Sequence, residues 1–542
     1  MIASDDDSTI GETFFRAAAE FAHNVLLAVP ANPARHYHPQ GIEISYRSAA
    51  ERVRELMRRY RDAGYGVGHS VGLLLENRPE HFLHKLALNA LGVCCVPLNP
   101  DHRARELAYV IDHAALDLLV VVSNLEAQLR SGIAESKRRP ALVPCEGFDA
   151  LPRAARSADS TTPTAASAAS VLYTSGTTGN PKGCVLSHGY ELAAGAWYAT
   201  RGGMASFGEG SERLFNPFPL YHVNAGIFSF FCVMLKGNCQ VQTDRFQASR
   251  WWTEVYESRA TVVHVLGVVM PVLLNLPAHP HERDHAVRFA IGGGGEPQRH
   301  AAFEQRFGFP LLEIWGMTEM VRALIDCHPP RGVGTRAIGR AQPGVEVRVV
   351  DDHDTDLADG TPGELLVRHS AATPRKGFFS GYLHDAAATE AAWRGGWFHT
   401  GDVVVRDPDG LLHFVDRRKN VIRRSGENIA AAEVEALLQT HPLVQEVAVL
   451  GVPDELREQE VLACIVLKDE AADRAAAVRT LVDFCHDKLA YYKAPGWVWL
   501  TDHIPMTPMQ KIQKHHLFAP DVDPRTAPGM FDMRSLKKRA AR

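Results

Sequence analysis

Hydroxyl and glycine residues crowd one stretch of the chain, VLYTSGTTGNPKGCVLSH at residues 171–188. Glycine lets a backbone fold closely around an anion, and serine and threonine hydroxyls donate hydrogen bonds. A lysine ammonium adds a compact positive charge. The combination indicates a loop that binds a polyphosphate, and a solvated Ser/Gly/Thr loop is the alternative for the segment taken alone. The predicted phosphate-binding residues are Thr174, Ser175, Gly176, Thr177, Thr178, Gly179 and Lys182.

This loop is not a Walker P-loop, which needs a lysine directly after its last glycine and a hydroxyl residue after the lysine. Here Pro181 precedes Lys182, and Gly183 follows it. The order of residues instead resembles the signature loop of the adenylate-forming superfamily, which contains acyl-CoA synthetases, firefly luciferase and the adenylation domains of peptide synthetases. The resemblance implies that the loop binds the phosphates of ATP.

A second segment, IWGMTE at residues 314–319, resembles the aromatic-G-x-T-E motif of the same family. The resemblance implies that Trp315 packs at the adenine with Gly316 and Met317 beside it. It also implies that Thr318 contacts the α-phosphate and that Glu319 ligates Mg²⁺, an ion that favours one or two carboxylates together with phosphate oxygens. Taken alone, the segment is more typical of a buried tryptophan and a surface glutamate.

Two further segments resemble the parts of this family that bind adenine and ribose. WFHTGD at residues 397–402 resembles the T-G-D motif, in which Asp402 would accept hydrogen bonds from both ribose hydroxyls. The strict G-x-G-x-x-G fingerprint is absent, which argues against a dinucleotide-binding oxidoreductase. GGGGEP at residues 292–297 resembles the adenine loop, with predicted contacts at Gly293, Gly294, Gly295, Glu296 and Pro297.

The run DRRKNVIRRSGEN at residues 416–428 resembles the family's hinge motif. The resemblance implies that Arg417 reaches the ribose and that the small domain turns about Lys419. It also implies that Gly426 lines the channel of the thiol acceptor, coenzyme A, after that rotation. A solvated charged turn is the alternative for such a run taken alone.

Near the end of the chain, PMTPMQKIQK at residues 505–514 resembles the family pattern P-x-T-x-x-G-K. Lys511 then matches the lysine that neutralises charge developing at the α-phosphate. Gln510 stands where the family has glycine, and Lys514 competes for the role if the loop is shifted by three residues. An exposed basic segment is the alternative.

The segment PLYHVNAG at residues 219–226 resembles the family's P-x-x-H segment. The resemblance gives His222 a lining or gating role between the acyl pocket and the thiol tunnel, although a lone histidine is more often a core residue. The sequence does not identify the acyl substrate, but it favours a short, medium or polar acid. Arg322 is either a partner for a second substrate carboxylate or a structural arginine.

The arrangement of apolar residues predicts an α/β fold. Apolar runs predict buried strands at residues 71–75, 93–98 and 117–122, and helical spacing predicts an amphipathic helix over 46–64. Strands that alternate with helices imply parallel sheets covered on both faces. From residue 339 to 414, short strands between Gly and Pro turns predict a β-rich subdomain.

A chain of 542 residues is expected to contain more than one domain. Residues 154–170, mainly Ala, Ser, Thr and Asp, are typical of a flexible connector or an exposed loop. After Asp416 the pattern becomes that of a compact α+β unit. We therefore predict a large AMP-binding domain of stacked α/β sheets with the β-rich subdomain at 1–416, a small mobile domain at 417–525 and a solvated basic tail at 526–542.

Composition narrows the partners and the compartment. The formal charge of −5 gives no sign of nucleic-acid binding, and nine cysteines without a C-x-x-C pair indicate neither a metal site nor a disulfide framework. The acidic N-terminus lacks the order of a signal peptide, and the longest apolar runs are too short or too interrupted to span a bilayer. A cytoplasmic protein is expected, and its oligomeric state is left open.

The resemblance covers residues 45–517 and implies a two-step ligase. A carboxylic acid would attack Mg·ATP to give acyl-AMP and pyrophosphate, and the thiol of coenzyme A would then take the acyl group. The segments DRRKNVIRRSGEN and IWGMTE most resemble those of acyl-CoA ligases of the carnitine/crotonobetaine type. Two alternatives remain open: an adenylating enzyme that loads a carrier-protein thiol or another acceptor in trans, and a nucleotide-binding relative without turnover.

Overall fold

A computed structural model describes residues 1–3, 7–148, 151–174, 181–266, 269–293, 297–351, 353–417, 421–468, 473–505, 514, 517–519 and 522–537. The chain divides into two compact units. Unit 1 comprises residues 1–100, 110–172 and 183–416, and unit 2 comprises residues 101–109, 173–182 and 417–542. Along the chain, the change of unit after Asp416 coincides with the predicted boundary, and two short earlier segments also cluster with unit 2.

The helices lie between and after the strands, as the alternating pattern predicts. They are α1 Ile10–Glu20, α2 Tyr46–Asp62, α3 Pro79–Ala90, α4 Ala104–His113, α5 Glu126–Glu135, α6 His188–Ala199, α7 Phe230–Leu235, α8 Trp251–Glu257, α9 Val269–Asn275, α10 Pro297–Phe307, α11 Ala386–Ala392, α12 Ala431–Gln439 and α13 Arg474–Lys488.

The strands of unit 1 agree in place with the predicted apolar runs. They are β1 Val25–Val29, β2 Ile42–Ser45, β3 Ser70–Leu74, β4 Cys94–Pro97, β5 Leu118–Val121, β6 Ala141–Pro144, β7 Ala168–Thr174, β8 Lys182–Ser187, β9 Arg213–Asn216, β10 Cys239–Gln242, β11 Val262–Leu266, β12 Phe289–Gly293, β13 Leu311–Met317, β14 Met320–Ile325, β15 Ala337–Arg340, β16 Glu346–Val350, β17 Gly363–Arg368, β18 Gly381–Tyr382, β19 Phe398–Arg406 and β20 Leu411–Arg417.

Local sequence explains where the helices of unit 1 begin. The Thr9 hydroxyl and the Glu12 carboxylate form a capping box at the start of α1, and the Ser45 hydroxyl accepts a bond from Ser48 N at the start of α2. Helix α2 then buries Ala49, Val53 and Tyr60, three of the residues whose spacing predicts the helix. The amphipathic helix is thus confirmed, with its last residue at Asp62.

The described residues of unit 1 form three sheets. One has eight strands in the order β14-β13-β12-β11-β9-β10-β1-β2, and another has seven in the order β18-β8-β7-β4-β3-β5-β6. In the first sheet the neighbouring strands β13, β12, β11, β9 and β10 pair in parallel. In the second sheet the neighbouring strands β7, β4, β3, β5 and β6 also pair in parallel. Strands such as CCVP and LLVV are buried at every residue, as sheets covered on both faces require.

The predicted β-rich subdomain is confirmed as a five-stranded sheet in the order β15-β20-β19-β17-β16. For residues 154–167 the exposed-loop alternative is confirmed, because residues 151–167 form no helix or strand and most of them are exposed. Residues 168–170 instead begin strand β7. The loop is nevertheless bonded to its unit. Ala154 N donates to Ala63 O at 2.8 Å, and Asp159 N donates to Val67 O at 3.0 Å.

Unit 2 is built on a sheet of six strands, β22-β21-β24-β25-β26, with β23 paired to β24. Helices α12 and α13 bury Val434, Leu438, Val478 and Leu481 in the core of this unit. The strands are β21 Val421–Arg424, β22 Glu427–Ala430, β23 Val444–Asp454, β24 Glu458–Leu467, β25 Trp497–Leu500 and β26 Met530–Asp532.

The prediction of a solvated basic tail is wrong for the residues up to Lys537. Strand β26 pairs with β25, and the Lys537 side chain is buried, where Nζ donates to Glu460 Oε1 at 2.5 Å and to the Tyr492 carbonyl at 3.0 Å. Arg424 Nε donates to Glu460 Oε2 at 2.8 Å. The basic residues therefore compensate one buried carboxylate, a partner that charge patterning along the chain does not reveal.

In this Glu460 cluster the surroundings favour the charged form of the carboxylate and disfavour the charged form of the lysine. Burial and the neighbouring Arg424 lower the pKa of Lys537 to about 7, whereas Lys537 and Arg424 outweigh burial and hold the pKa of Glu460 below its usual range. The carboxylate is thus the member on which both cations depend.

Replacing Glu460 should therefore cost far more stability than replacing Lys537. We expect Glu460→Gln to lower the free energy of unfolding by about 3–5 kcal/mol, because two buried cations lose their counter-charge. Lys537→Met should cost about 1–2 kcal/mol, since Arg424 still pairs with the carboxylate. Urea unfolding followed by far-UV circular dichroism measures both, with the exposed Glu455→Gln as control. Equal losses for the two variants would contradict this ranking.

The nine cysteines are all free thiols, and only Cys145 is half-buried, the other eight being buried. Burial raises the pKa of the Cys145 thiol to about 12. No helix in the described part of the chain is long and apolar enough to cross a membrane.

Candidate active site

Two of the predicted motifs, separated by more than eighty residues in the chain, meet in unit 1. Trp315 lies near the end of β13 and Asp402 lies in β19, and Trp315 Nε1 donates to Asp402 Oδ2 at 2.9 Å. Both side chains are buried, with 6% and 3% of their surface exposed. The indole therefore fixes the orientation of a carboxylate that is suited to accept hydrogen bonds from a ribose.

Short-range bonds shape the backbone around Asp402. Gly401 has a φ of 70°, a left-handed conformation that glycine adopts without strain. Asp402 N donates to Thr400 Oγ1 at 3.1 Å, and that hydroxyl donates to the Leu365 carbonyl at 2.7 Å. The register of the β17–β19 pairing shifts across residues 400–402, so the T-G-D sequence forms an irregular stretch within β19.

Thr318 and Glu319 form the two-residue turn of the hairpin between β13 and β14, where Met317 lies opposite Met320. The turn is held by two tyrosines from distant elements. Tyr382 Oη donates to Glu319 Oε1 at 2.9 Å, and Tyr190 Oη donates to the Thr318 carbonyl at 2.7 Å. Burial and the Glu319 charge raise the pKa of Tyr382 far above its usual value, so its hydroxyl keeps its proton and donates.

The Glu319 turn lies close to the strand that leaves the signature loop. Tyr382 is opposite Cys184 in the pairing of β18 with β8, and Leu383 N donates to the Gly183 carbonyl at 2.8 Å. The tyrosine that holds Glu319 is therefore a direct neighbour of β8. Sequence reasoning missed both Tyr382 and Tyr190, because each is remote in sequence from the motif that it supports and belongs to no motif of its own.

Packing between neighbouring strands explains why glycines stand at the end of β12. A Cβ atom on Gly293 would lie 2.7 Å from the Ile314 carbonyl oxygen, and one on Gly292 would collide with the Val265 carbonyl. Strand packing by itself therefore requires glycine at both positions. Contact between Gly293 and the adenine stays a prediction, and Pro297 begins α10.

The segment after His222 continues into a π-helical turn, Asn224–Ser229, followed by α7. Gly226 N donates to the His222 carbonyl at 3.0 Å, and the His222 side chain is half-buried. π-Helical turns occur frequently at functional sites. Arg322 is buried beside Trp197, with Nη1 donating to the Lys376 carbonyl at 2.5 Å, which favours the structural role for this arginine.

Unit 2 carries several of the remaining predicted residues. Thr174 ends β7 and Lys182 begins β8, both half-buried, and Tyr109 Oη donates to the Pro181 carbonyl between them at 2.9 Å. Gly426 is the second residue of the β21–β22 turn and has a φ of 82°, after Ser425 with a φ of 52°. Such a turn needs left-handed conformations at both central residues, which explains the glycine.

Lys514, the alternative to Lys511, has its side-chain partners within unit 2. Its Nζ atom forms an ion pair with Glu435 at 2.7 Å and donates to the Val449 carbonyl at 2.7 Å. Arg417 ends β20. The remaining predicted residues lie outside the described residues: Ser175, Gly176, Thr177, Thr178, Gly179, Gly294, Gly295, Glu296, Lys419 and Lys511.

Glu319 is the predicted magnesium ligand. Glu319 offers a buried carboxylate in the turn between β13 and β14, with 9% of its surface exposed and one oxygen held by Tyr382. Among the described residues no group of three His, Cys, Asp or Glu side chains comes together. A single carboxylate fits Mg²⁺ bound mainly through phosphate oxygens and water.

The comparison with known families agrees with this geometry. The sequence profile described as "AMP-binding enzyme" matches residues 21–383, and that described as "AMP-binding enzyme C-terminal domain" matches residues 433–511. The chain belongs to the AMP-binding enzymes. The predicted family and fold class are confirmed.

Relatives of this AMP-binding enzyme include crotonobetaine/carnitine–CoA ligases. That of Proteus mirabilis is 28% identical over 494 residues, which cover 88% of this chain and 93% of the relative. That of Salmonella paratyphi A is 29% identical over 493 residues with the same coverage.

Similar solved structures include an amide bond synthetase from Marinactinospora thermotolerans, with 28% identity, a TM-score of 0.77 and coverage of 94% of this chain and 98% of that one. A malonyl-CoA ligase with methylmalonyl-CoA and AMP bound has 27% identity, a TM-score of 0.72 and coverage of 90% and 97%. An o-succinylbenzoate CoA synthetase from Bacillus subtilis, 22% identical with a TM-score of 0.80 over 94% and 98% of the chains, has the same fold.

The Trp315–Asp402 bond makes a prediction for nucleotide binding. Trp315→Phe keeps an aromatic ring but removes the donor, so Asp402 loses the bond that orients it. We expect the affinity for AMP to fall about 10-fold, the size of one hydrogen bond to a charged group. Isothermal titration calorimetry with AMP measures the change.

Trp499→Phe is the matched control, because its Nε1 donates to the Pro528 carbonyl at 3.0 Å in unit 2. An equal loss of AMP affinity in the control, or an unchanged affinity in Trp315→Phe, would show that the bond does not serve the nucleotide.

Proposed function

We propose that this AMP-binding enzyme is an ATP-dependent acyl-CoA ligase, which activates a carboxylic acid as acyl-AMP and transfers the acyl group to coenzyme A. The observation that carries the proposal is the convergence of the Trp315 and Asp402 motifs on one buried bond of 2.9 Å. This meeting gives a ribose-binding carboxylate a fixed position beside the Thr318–Glu319 turn, which belongs to the same hairpin as Trp315. The names of the relatives, which are CoA ligases, support coenzyme A as the acceptor of the acyl group.

In the first half-reaction a carboxylate oxygen of the acid forms a bond to the α-phosphorus of ATP. The bond from that phosphorus to the bridging oxygen breaks, and its electron pair leaves with pyrophosphate. Little covalent work falls to the protein in such a transfer, which depends on positioning and on compensation of charge. We assign Asp402 and Trp315 to the nucleoside, Thr318 to the α-phosphate and the signature loop with Lys182 to the other phosphates.

Glu319 is the residue that would hold Mg²⁺, which when bound offsets the charge of the phosphates. Tyr382 holds one oxygen of Glu319, so the carboxylate meets the incoming phosphates in a fixed orientation. Lys511 is the proposed source of the ammonium beside the reacting oxygens. Lys514 is already neutralised by Glu435 at 2.7 Å, which supports Lys511 in that role.

In the second half-reaction the sulfur of the thiol forms a bond to the acyl carbon. The bond from that carbon to the phosphate oxygen breaks, AMP leaves with the electron pair, and the thiol loses its proton. We assign the wall of the thiol channel to Gly426, the lining between thiol and acyl group to His222, and the hinge between the two half-reactions to Lys419, with Arg417 beside the ribose. ATP, coenzyme A and free thiols also favour the cytoplasm as its site of action.

A second acceptor is a specific alternative. The amide bond synthetase matches 94% of this chain, so an amine in place of the thiol is a candidate, as is the thiol of a carrier protein. All three acceptors share the acyl-AMP step. They differ only in the nucleophile that takes the acyl group.

The function is tested by separating the two steps. With ATP, Mg²⁺ and a panel of short, medium and polar acids, we expect acid-dependent exchange of labelled pyrophosphate into ATP, followed by thioester formation when coenzyme A is added. Exchange without thioester, but with amide on addition of amines, would support the amide alternative. Absence of exchange with every acid, in enzyme that binds AMP, would support the relative without turnover.

The assignment of Lys511 is tested against its neighbour. Lys511→Ala should lower the rate of pyrophosphate exchange by about 100- to 1000-fold, the size expected when one preorganised charge partner is lost. Thioester formation from supplied acyl-AMP should change far less. Lys514→Ala is the matched control and should keep the exchange rate within about threefold. A larger loss in Lys514→Ala than in Lys511→Ala would transfer the role to Lys514.

A further inference from the structure

A buried polar network lies behind the π-helical turn that follows His222. Its members are Asn216 at the end of β9, His264 in β11, Ser229 in the turn and Tyr198 in α6, all at most 1% exposed. Each of these groups is hydrogen-bonded to another member or to Asn224. Asn224, the first residue of the turn, is half-buried and is the member that reaches the surface.

One backbone group fixes the direction of these bonds. Phe218 N donates to Asn216 Oδ1 at 3.1 Å, so the nitrogen end of that amide, Nδ2, supplies two donors. Asn216 Nδ2 lies 2.8 Å from Asn224 Oδ1 and 3.1 Å from Ser229 Oγ. A reversed Asn224 amide would bring two nitrogens with only protons between them to 2.8 Å. The Asn224 oxygen therefore faces Asn216.

His264 is consistent with the same orientation, which then fixes the tautomer of its ring. Its Nδ1 lies 2.8 Å from Asn224 Oδ1, and its Nε2 lies 2.9 Å from Tyr198 Oη. Burial lowers the pKa of His264 to about 3, so the neutral ring carries one N–H. With that proton on Nδ1, His264 donates to Asn224 and accepts from Tyr198. Asn216 Nδ2 is also 3.2 Å from Nδ1, but its two protons already have acceptors in Asn224 and Ser229.

The consequence is an oriented pair of donors. Asn224 Oδ1 receives bonds from Asn216 and His264, so Asn224 Nδ2 points away from the network with both of its protons. Within the part of the chain that the structure describes, no group accepts from Nδ2. Four buried residues thus hold one half-buried amide in a single orientation.

This amide lies at the edge of the large sheet where the proposed nucleotide residues also lie. Strands β9, β11, β12 and β13 are adjacent and parallel, and Val263 is opposite Phe215, so His264 is level with Asn216 near the carboxyl end. Ligands of parallel sheets bind outside the carboxyl ends of the strands. Three strand spacings separate β9 from β13, which is about 14 Å. That separation suits the far end of a short or medium acyl group.

We propose that Asn224 is a specificity-determining residue that binds an acceptor oxygen on the acyl group, remote from the carboxylate that is activated. The substrate class is then a carboxylic acid with a second oxygen acceptor, such as a ketone, a hydroxyl or a further carboxylate. This inference rests on the proposed ligase function and goes beyond it by naming what the acyl group carries. Asn216 and His264 are positioning residues that set the direction of the amide.

A matched set of acids tests the proposal in the full-length enzyme. Octanoate is compared with 4-, 5-, 6- and 7-oxooctanoate, each of which adds only an acceptor, through kcat/KM for pyrophosphate exchange. We expect at least one oxo-acid to exceed octanoate by about 10-fold or more. Asn224→Leu should reduce that ratio by about 10- to 100-fold, the loss expected when one well-placed hydrogen bond is removed.

Asn224→Asp is the second variant, in case the leucine disturbs folding. It keeps the shape of the side chain but presents an acceptor, so it should also lose the preference for the oxo-acid and should favour 8-aminooctanoate instead. Asn238→Leu is the control, because its buried amide bonds the Gly208 carbonyl at 2.8 Å away from the turn; it should leave the ratio unchanged.

The outcomes separate the two levels of inference. If octanoate and the oxo-acids are activated equally, or if Asn224→Leu and Asn224→Asp keep the wild-type ratio, the role of Asn224 is refuted while the ligase function stands. If the wild-type enzyme binds AMP but exchanges pyrophosphate with no carboxylic acid of this set or of the wider panel, the proposed function is refuted and the role of Asn224 with it.

Discussion

The hydrogen bond from Trp315 to Asp402 joins two sheets that have different origins in the sequence. Trp315 belongs to the eight-stranded sheet, whereas Asp402 belongs to the five-stranded β-rich sheet. A buried carboxylate is costly without a donor, and a buried indole N–H is costly without an acceptor. Each group removes the cost of the other. Unit 1 thereby gains a fixed carboxylate at the place where the Thr318–Glu319 turn begins.

Other groups of the proposed site are likewise held by hydrogen-bond partners from distant parts of the chain. Tyr382 holds Glu319, Tyr190 holds the carbonyl of Thr318, and four buried side chains hold the amide of Asn224. In each case a group that would meet a ligand is oriented by a partner from another element. Preorganisation of this kind matters in a reaction that brings two anions together, because the protein then need not reorganise while charge develops.

The sequence predicts the strands, the helices and the family well, since burial on both faces and short motifs are local properties. CCVP and LLVV predict strands because every residue of a buried parallel strand is apolar, and the spacing of Ala49, Val53 and Tyr60 predicts helix α2. The glycines at 292 and 293 show the limit of local reasoning. Their type is explained by neighbouring strands, so a ligand is not needed to account for them.

The supporting residues could not be predicted, because their partners are remote in sequence. Tyr382 meets Glu319 across 63 residues, and Lys537 meets Glu460 across 77. A run such as RSLKK has the composition of a solvated tail, and only the buried carboxylate that it compensates shows otherwise. Pairings of this kind depend on the three-dimensional arrangement and leave no periodic signal.

The free thiols have a practical consequence for spectroscopy. Eight of the nine are buried and Cys145, the half-buried one, has a pKa of about 12, so almost none is ionised at neutral pH. Maleimide reagents attack thiolates, and the native protein should therefore react slowly. A single cysteine introduced on an exposed face of either unit should accept a fluorophore selectively, without prior removal of the native ones.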